Sequence, residues 1–382
     1  MEPVEITEDD LLLRPWHPAD AEAVYRACQD PDIQRWTTVP APYLLTHATA
    51  FVGELAPAGW AEDTAAQFAV VDRLTGDLLG SCGLVTVDRR LRSAEIGFWV
   101  VPEARGRRVA ARSTRAIAHW AFDRLGLRRI VWQATVGNHP SRLAALRAGF
   151  RMEGRLRLAG AEPGTEGWIG SLLPGDLLHP PAEPPALEIR RARAFTRAQP
   201  VLHAQAKGGD LTLRALAERD IPEVVLACRD PESIRWTTIP QPYGPPEAEL
   251  FVRRHAPARW AAGNGAVFAL ADEANRFVGS MELVIRADDA AAAAVGFMTA
   301  PGARGRGYAP AALRALCHWG FDALGLERIE WRAYPGNEPS RRVAEKAGFT
   351  MEGTIRSAGV QRGARRDMWI ASLLATDPRE LP

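Results

Sequence analysis

Arg304-Gly305-Arg306-Gly307-Tyr308-Ala309, followed at once by Pro310, is the stretch from which the fold can be read. Proline has no amide hydrogen and suits the first turn of a helix, so a helix starts here. Beyond it, Leu313, Leu316, Gly320 and Leu324 recur at three- and four-residue steps, a core-facing stripe that stops at Gly325. Before it, Val295–Thr299 is a β-rich run. A glycine loop between a strand and a helix lets backbone N–H groups approach a ligand, and the helix N-terminus adds partial positive charge. The expected ligand is a pyrophosphate. No Gly-Lys-Ser/Thr closes the loop, and Pro310 stands where a dinucleotide fingerprint has its third glycine, so neither of those nucleotide sites is expected.

Moving outward, the chain repeats itself at a spacing of about 200 residues, far longer than the period of a solenoid. Asp30-Pro31 answers Asp230-Pro231, Arg35-Trp36-Thr37-Thr38 answers Arg235-Trp236-Thr237-Thr238, and Pro42-Tyr43 answers Pro242-Tyr243. His119-Trp120 answers His318-Trp319, and Leu125-Gly126-Leu127 answers Leu324-Gly325-Leu326. Ala148-Gly149-Phe150 and Met152-Glu153-Gly154 return as Ala347-Gly348-Phe349 and Met351-Glu352-Gly353. The reading is a duplicated domain, 1–179 and 209–382, joined by a linker over 180–208 that holds Pro180-Pro181, Pro184-Pro185 and the arginine-rich run Glu188 to Gln199. That run reads as a solvated connector or an added strand, in preference to a nucleic-acid or ribosome contact.

Each copy has the coarse order strand, two helices, three strands, long helix, strand, helix, two strands. In the second copy Leu211–Arg214 is the first strand and Ala217 opens the first helix. Val267–Leu270, Phe277–Ile285 and Val295–Thr299 follow as strands, and Arg328–Tyr334 comes after the long helix.

With 47 basic against 46 acidic residues the chain carries no global field for nucleic acid or an anionic membrane, so any anion site must be local. Cys28, Cys82, Cys228 and Cys317 form no paired motif, which speaks against a zinc site or a disulfide framework and for small buried hydrophobes; no metal is expected. The acidic N-terminus lacks the features of a signal peptide and no long apolar run follows, so the expected location is cytoplasmic, with no membrane partner.

The glycine loop resembles the Arg/Gln-x-x-Gly-x-Gly/Ala signature of the GCN5-related N-acetyltransferases (GNAT). With Asn337-Glu338-Pro339-Ser340 and Lys346-Ala347-Gly348-Phe349 downstream, the match is specific and covers nearly all of both copies. The second copy, through Asp367-Met368-Trp369 and Ser372-Leu373-Leu374, is similar to the branch that acetylates ribosomal-protein N-termini. The resemblance implies an α/β chain of two tandem acyl-CoA N-acyltransferase domains, each a mixed, mostly antiparallel sheet flanked by helices. It implies transfer of an acetyl group from acetyl-CoA, a co-substrate, to a primary amine of a small molecule or a peptide N-terminus by direct attack. The pantetheine arm would enter a gap between the fourth and fifth strands of each copy.

On that resemblance, Arg304, Gly305, Arg306, Gly307, Tyr308 and Ala309 cradle the pyrophosphate, and Met298 and Thr299 offer backbone donors to the acetyl oxyanion. Asn337 holds the pantetheine amide and Ser340 serves the leaving thiolate. Val100, Arg105, Gly106, Arg107, Ala110, Asn138 and Ser141 are the matching positions of copy one. An asparagine followed three residues later by serine also reads as plain helix capping. Arg108 stands where copy one wants its second glycine; it either threatens the loop's shape and space or reaches out to the pyrophosphate itself. Copy one keeps Glu95, the family's fourth-strand carboxylate that takes the amine proton, where copy two has Ala294. Copy two offers Glu282 instead, opposite Val295 if the hairpin turns near Asp288-Asp289. Either glutamate is alternatively a strand residue with no chemistry. Trp36 and Trp236 read as acceptor-pocket walls or as core.

Two other classes fit parts of the pattern: a tandem aminoacyl-tRNA-dependent transferase, which usually lacks such a loop and needs a basic face, whereas this chain has the loop and is nearly neutral, and a non-catalytic CoA-binding module. The duplication leads us to expect a monomeric pseudo-dimer or a homodimer.

Overall fold

The computed structural model of the chain describes residues 1–160, 165–178 and 186–379, so Pro180-Pro181 and Pro184-Pro185 lie outside the described residues. The chain divides into two compact units, Met1–Ile189 and Arg190–Pro382. In the first, strands β1 (Ile6–Glu8), β2 (Leu11–Pro15), β3 (Ala66–Asp72), β4 (Leu78–Asp88), β5 (Ser93–Val100), β6 (Arg129–Thr135), β7 (Arg151–Leu156) and β8 (Gly167–Leu172) form one sheet in the order β1-β2-β3-β4-β5-β6-β8-β7. The second unit repeats it with β9 (Leu202–Ala206), β10 (Gly209–Ala215), β11 (Gly265–Ala271), β12 (Phe277–Ile285), β13 (Ala292–Thr299), β14 (Arg328–Ala333), β15 (Thr350–Gln361) and β16 (Ala364–Leu374). Only β5 with β6 and β13 with β14 run parallel; the other pairs are antiparallel. Each unit is therefore a mixed, mostly antiparallel sheet flanked by helices.

Helices cover both faces of the sheet, which explains why β11 is a continuous apolar run buried at every position. On one face Leu313, Leu316 and Leu324 of helix Tyr308–Leu324 pack on Leu211, Leu213, Phe268, Leu283 and Trp331. On the other, Val224, Cys228, Tyr243 and Val252 pack on Ala269 and Phe277. All four cysteines are buried and unpaired, and burial pushes the Cys28 thiol up to about 11 and that of Cys82 to about 12.

The repeated phrases mark the joints of the fold. Gly126 and Gly325, at φ of +66° and +64°, end the two long helices in the left-handed cap that glycine adopts without steric cost. Trp120 and Trp319 sit edge-on against Phe68 and Phe268. Glu352 accepts hydrogen bonds from Arg328 at 2.6 Å and Ser372 at 2.6 Å, and Glu153 does the same with Arg129 and Ser171. One glutamate thus ties the parallel strand to the terminal hairpin.

Three sequence expectations change. Ala217 precedes a short 3-10 turn, and the first α-helix of the unit is Ile221–Arg229. The arginine-rich run forms helix Ala186–Thr196, because Ala192 and Phe195 lie at a three-residue step and are buried while arginines take the other positions. Phe195 packs on Trp260 at 4.7 Å between centroids, and Arg191 donates to the carbonyls of Leu324 and Ala290. Glu282 pairs with Gly296, one residue beyond Val295, since β12 and β13 are joined by a longer turn at 286–291.

Arg328 and Ser372 hold the Glu352 carboxyl down to about 2 against its ordinary 4.5. Its ionised form therefore favours the folded state, a contribution fully present above pH 4.5 and lost as pH falls through 2. The side chain is 36% exposed, so solvent screening limits the effect. Glu352→Gln should destabilise the protein at pH 7 by about 1 kcal/mol, and urea midpoints of variant and parent should converge as the pH is lowered below 4.5 toward 2.

Candidate functional site

The two parallel pairs are short. β13 and β14 pair only from Ala292 opposite Arg328 to Val295 opposite Trp331, although β13 runs on to Thr299. β5 and β6 likewise pair from Ser93 opposite Arg129 to Ile96 opposite Trp132, while β5 continues to Val100. Past these points the strands part and leave backbone groups without a ladder partner. The amide of Ala300 donates to Val278 at 2.9 Å, so by the alternation of an antiparallel ladder Met298 also turns its N–H toward β12. Phe297 and Thr299 turn theirs toward the gap. The Met298 carbonyl lies against Gly279 so closely that no Cβ fits there, which agrees with that orientation. Of the two expected donors, only Thr299 faces the gap. In the first unit Val101 donates to Leu79 at 3.0 Å, which by the same alternation gives Val100 the equivalent position.

At the end of β13 comes the glycine loop. Gly305 and Gly307 have φ of +76° and +77°, and Gly307 caps helix Tyr308–Leu324, whose free N–H groups face outward from its first turn. The open space around Gly305 leaves its backbone accessible. Arg306 is exposed and has no acidic partner among the described residues, whereas Tyr308 and Ala309 are buried. Arg304 turns the other way and pairs with Asp230 at 2.5 Å.

In the first unit Arg108 adopts φ of +59° and ψ of +21°, close to Gly307, so the loop keeps its backbone shape around Gly106 with an arginine in a strained conformation. Its side chain is exposed. The side chains differ: Arg107, in the place of Arg306, contacts Asp10 at 3.3 Å and Asp72 at 3.4 Å and is neutralised by the chain itself, while Arg108 has no acidic partner among the described residues. Arg105 pairs with Asp30 at 2.5 Å, and Ala110 lies in the first turn of helix Val109–Leu125.

Asn337 caps helix Glu338–Lys346, accepting from the Ser340 amide at 3.2 Å, and Asn138 caps His139–Ala148 from Ser141 at 3.1 Å. The capping reading therefore holds for the asparagine oxygens. The hydroxyls add something more. Trp331 Nε1 donates to Ser340 Oγ at 3.1 Å, and Trp132 to Ser141 at 3.0 Å. A hydroxyl that accepts from an indole keeps its own proton for another acceptor. Trp331 and Trp132 end the paired stretch where the strands part, so each serine is held beside the gap.

Glu95, half-buried on β5, has Gln133 at 3.5 Å and no cationic partner among the described residues, and burial raises its carboxyl above the ordinary value. Glu282 stands on the face of β12 shared with Gly296, over which there is open space. One of its oxygens lies 2.5 Å from Arg259 Nε and 4.0 Å from His255 Nε2. Trp36 and Trp236 are half-buried and belong to neither core; Arg35 and Arg235 stack on them. The Trp236 ring reaches Gly336, next to Asn337, so it stands at the mouth of the gap.

Sequence reasoning missed the residues that hold these parts together. Trp132 and Trp331 position the serines, and Arg259 engages Glu282. Asp230 caps helix Pro231–Trp236 and also fixes Arg304, so one carboxylate joins the tryptophan helix to the glycine loop. The repeated Asp-Pro phrase was the signal for it. Gln361 at the tip of β15 completes the wall by donating to the Arg235 carbonyl at 2.9 Å. No group of three or more potential metal ligands occurs among the described residues, nor any helix long and apolar enough to cross a membrane.

Comparison with known proteins finds the acetyltransferase (GNAT) domain family twice, at residues 10–151 and 210–350. The chain is 38% identical to YdaF of Bacillus subtilis over 82 residues, 22% of this chain and 45% of that protein. It is 31% identical to the ribosomal-protein-serine acetyltransferase of Escherichia coli over 83 residues, 22% of this chain and 46% of that one. The chain thus spans less than half the length of each of these two relatives. Among solved structures, that of Mycobacterium smegmatis RimJ in complex with CoA-disulfide is 24% identical with a TM-score of 0.41, over 46% of this chain and 87% of that one.

Arg304 holds the Asp230 carboxyl below its usual value. Asp230→Ala removes the cap and the ion pair together, and loss of such a cap costs about 1 kcal/mol. The thermal midpoint should fall by roughly 2–4 °C, and Asp230→Asn, which can still cap, should recover most of it.

Proposed function

The chain belongs to the acetyltransferase (GNAT) family, and from that premise we propose that its second domain binds acetyl-CoA and moves the acetyl group to a primary amine. One observation carries the reading: in the second domain the glycine loop joins Arg306, a cation with no acidic partner among the described residues, to a helix N-terminus beside the open strand gap. A diphosphate at the loop and an extended pantetheine in the gap meet complementary groups there. The first domain keeps the shape, but Asp10 and Asp72 engage Arg107, the counterpart of Arg306, and the arginine left exposed there is Arg108, in the place of the second glycine.

The chemistry follows from what each residue can do. The Thr299 N–H, aimed into the gap, donates to the thioester oxygen and stabilises the oxyanion that forms when the amine attacks the carbonyl carbon. The carbon–sulfur bond then breaks, and Ser340, whose proton is left available by its bond with Trp331, donates to the departing thiolate. Glu282 takes the proton lost by the amine. It faces the open space above Gly296, on the side where Trp236 and Gln361 wall the acceptor. The acceptor is an amine of a small molecule or of a protein N-terminus, and the likeness to a ribosomal-protein-serine acetyltransferase supports the latter. A screen of amines and N-terminal peptides with acetyl-CoA and thiol detection tests it.

A second reading, catalysis in the first domain, is favoured by Glu95, which has no guanidinium beside it and whose raised pKa suits a base.

Two tests separate the domains. Gly307→Arg strains a position at φ +77° and must pass Lys207, 3.5 Å from the new Cβ. It should abolish most acetyl-CoA binding in calorimetry, and binding that survives moves the site to the first domain. Glu282→Gln should lower turnover most at low pH, where the amine is charged, with partial recovery as pH rises. Should Glu95→Gln be inactive and Glu282→Gln match the parent at every pH, the base is Glu95, acting in its deprotonated form above its raised pKa.

A further inference from the structure

The first two strands of each domain form a hairpin, and the tips of the two hairpins differ in reach and in charge. In the first, Glu8 pairs with Leu11 and the turn is Asp9-Asp10. In the second, Ala206 pairs with Gly209 and the turn is Lys207-Gly208. Leu11-Leu12-Leu13-Arg14 and Leu211-Thr212-Leu213-Arg214 are the same phrase, so the second hairpin runs two residues further before it turns. At about 3.3 Å per residue this extends the tip by roughly 6–7 Å.

The extension lays the tip on the glycine loop. Gly208 N–H donates to the Arg306 carbonyl at 2.9 Å, and Tyr308 Oη donates to the Gly208 carbonyl at 2.8 Å. The Lys207 backbone nitrogen lies 3.5 Å from where a Cβ on Gly307 would stand. Position 208 needs glycine, because a Cβ there would be 2.7 Å from Arg306 Cβ. Lys207 itself is exposed, has no acidic partner among the described residues, and is one of only two lysines in the chain. In the first domain the tip does the opposite. Asp10 accepts from Arg112 at 2.6 Å and contacts Arg107 at 3.3 Å, so there the hairpin brings negative charge to the loop.

We propose that Lys207 is a ligand of the CoA diphosphate in the second domain, contributed by a hairpin that lies outside the glycine loop and reaches over it. The inference rests on the reading that this domain binds CoA. The hairpin is fastened by one hydrogen bond to the loop backbone and one from the Tyr308 hydroxyl, so the stem of Lys207 starts beside Gly307 and its ammonium can close over the N-terminus of helix Tyr308–Leu324. Arg306 and Lys207 then meet the diphosphate as two separate cations, and the N–H groups of the first turn complete the cradle.

The test uses the full chain and its variants Lys207→Met and Lys207→Arg, titrated calorimetrically with CoA and with 3′-dephospho-CoA. Lys207→Met should weaken both ligands by about tenfold, as expected for one lost charge-assisted contact, and Lys207→Arg should bind like the parent. The difference should shrink in 1 M salt, where the Debye length is about 3 Å. Equal affinity of parent and Lys207→Met for both ligands overturns the proposal. A loss seen with CoA but not with 3′-dephospho-CoA overturns it as well, by assigning the lysine to the 3′-phosphate. Gly307→Arg keeps the underlying reading separate: if that variant binds CoA like the parent, the second domain is not the CoA site, whatever Lys207 does. Matching thermal midpoints for parent and Lys207→Met exclude misfolding as the cause of a loss.

Discussion

Everything at the candidate site depends on the parting of two parallel strands. After Val295 and Trp331 the ladder between β13 and β14 stops, yet β13 continues with its outward N–H groups turned into the gap. Backbone groups left without a ladder partner are satisfied by water or by a ligand. An extended ligand with amides of its own can provide them, and the surrounding residues are arranged around that opening. Trp331 sits at the vertex and holds Ser340; the loop at the end of β13 opens at the head of the long helix; Trp236 stands at the mouth.

The duplication shows how far shape and charge can separate. Both loops share a backbone conformation, with Arg108 taking the left-handed angles that Gly307 takes. Both arginines at the loop's start pair with the capping aspartate of the helix that carries the tryptophan. The divergence lies in the side chains around the loop and above the sheet. Asp10 and Asp72 neutralise Arg107 and leave Arg108 exposed in the first loop, whereas its counterpart in the second, Arg306, has no acidic partner among the described residues. The carboxylates diverge as well. Glu95 is alone in a half-buried setting that raises its pKa, while Glu282 shares its place with Arg259 and His255.

What the sequence by itself determined is the part written in local periodicity and in repetition. The glycine loop, Pro310 and the leucine stripe located the strand, turn and helix, since these depend on backbone conformation and on one helix face. The repeated phrases located the two domains, because each marks a cap, an aromatic contact or an ion pair that the fold needs twice. Tertiary structure alone decided the partners. The register of β12 on β13, which puts Glu282 opposite Gly296, follows from the length of the turn between them, and the alternation of the ladder turned Thr299 and not Met298 to the gap. Arg259 is 23 positions from Glu282 in sequence, Asp10 is 97 positions from Arg107, and Lys207 is 100 positions from Gly307; a single sequence carries no periodic signal across such separations. The charge of each loop was therefore invisible until the hairpin before it was folded beside it, because electrostatic pairing depends on distance in space and not along the chain.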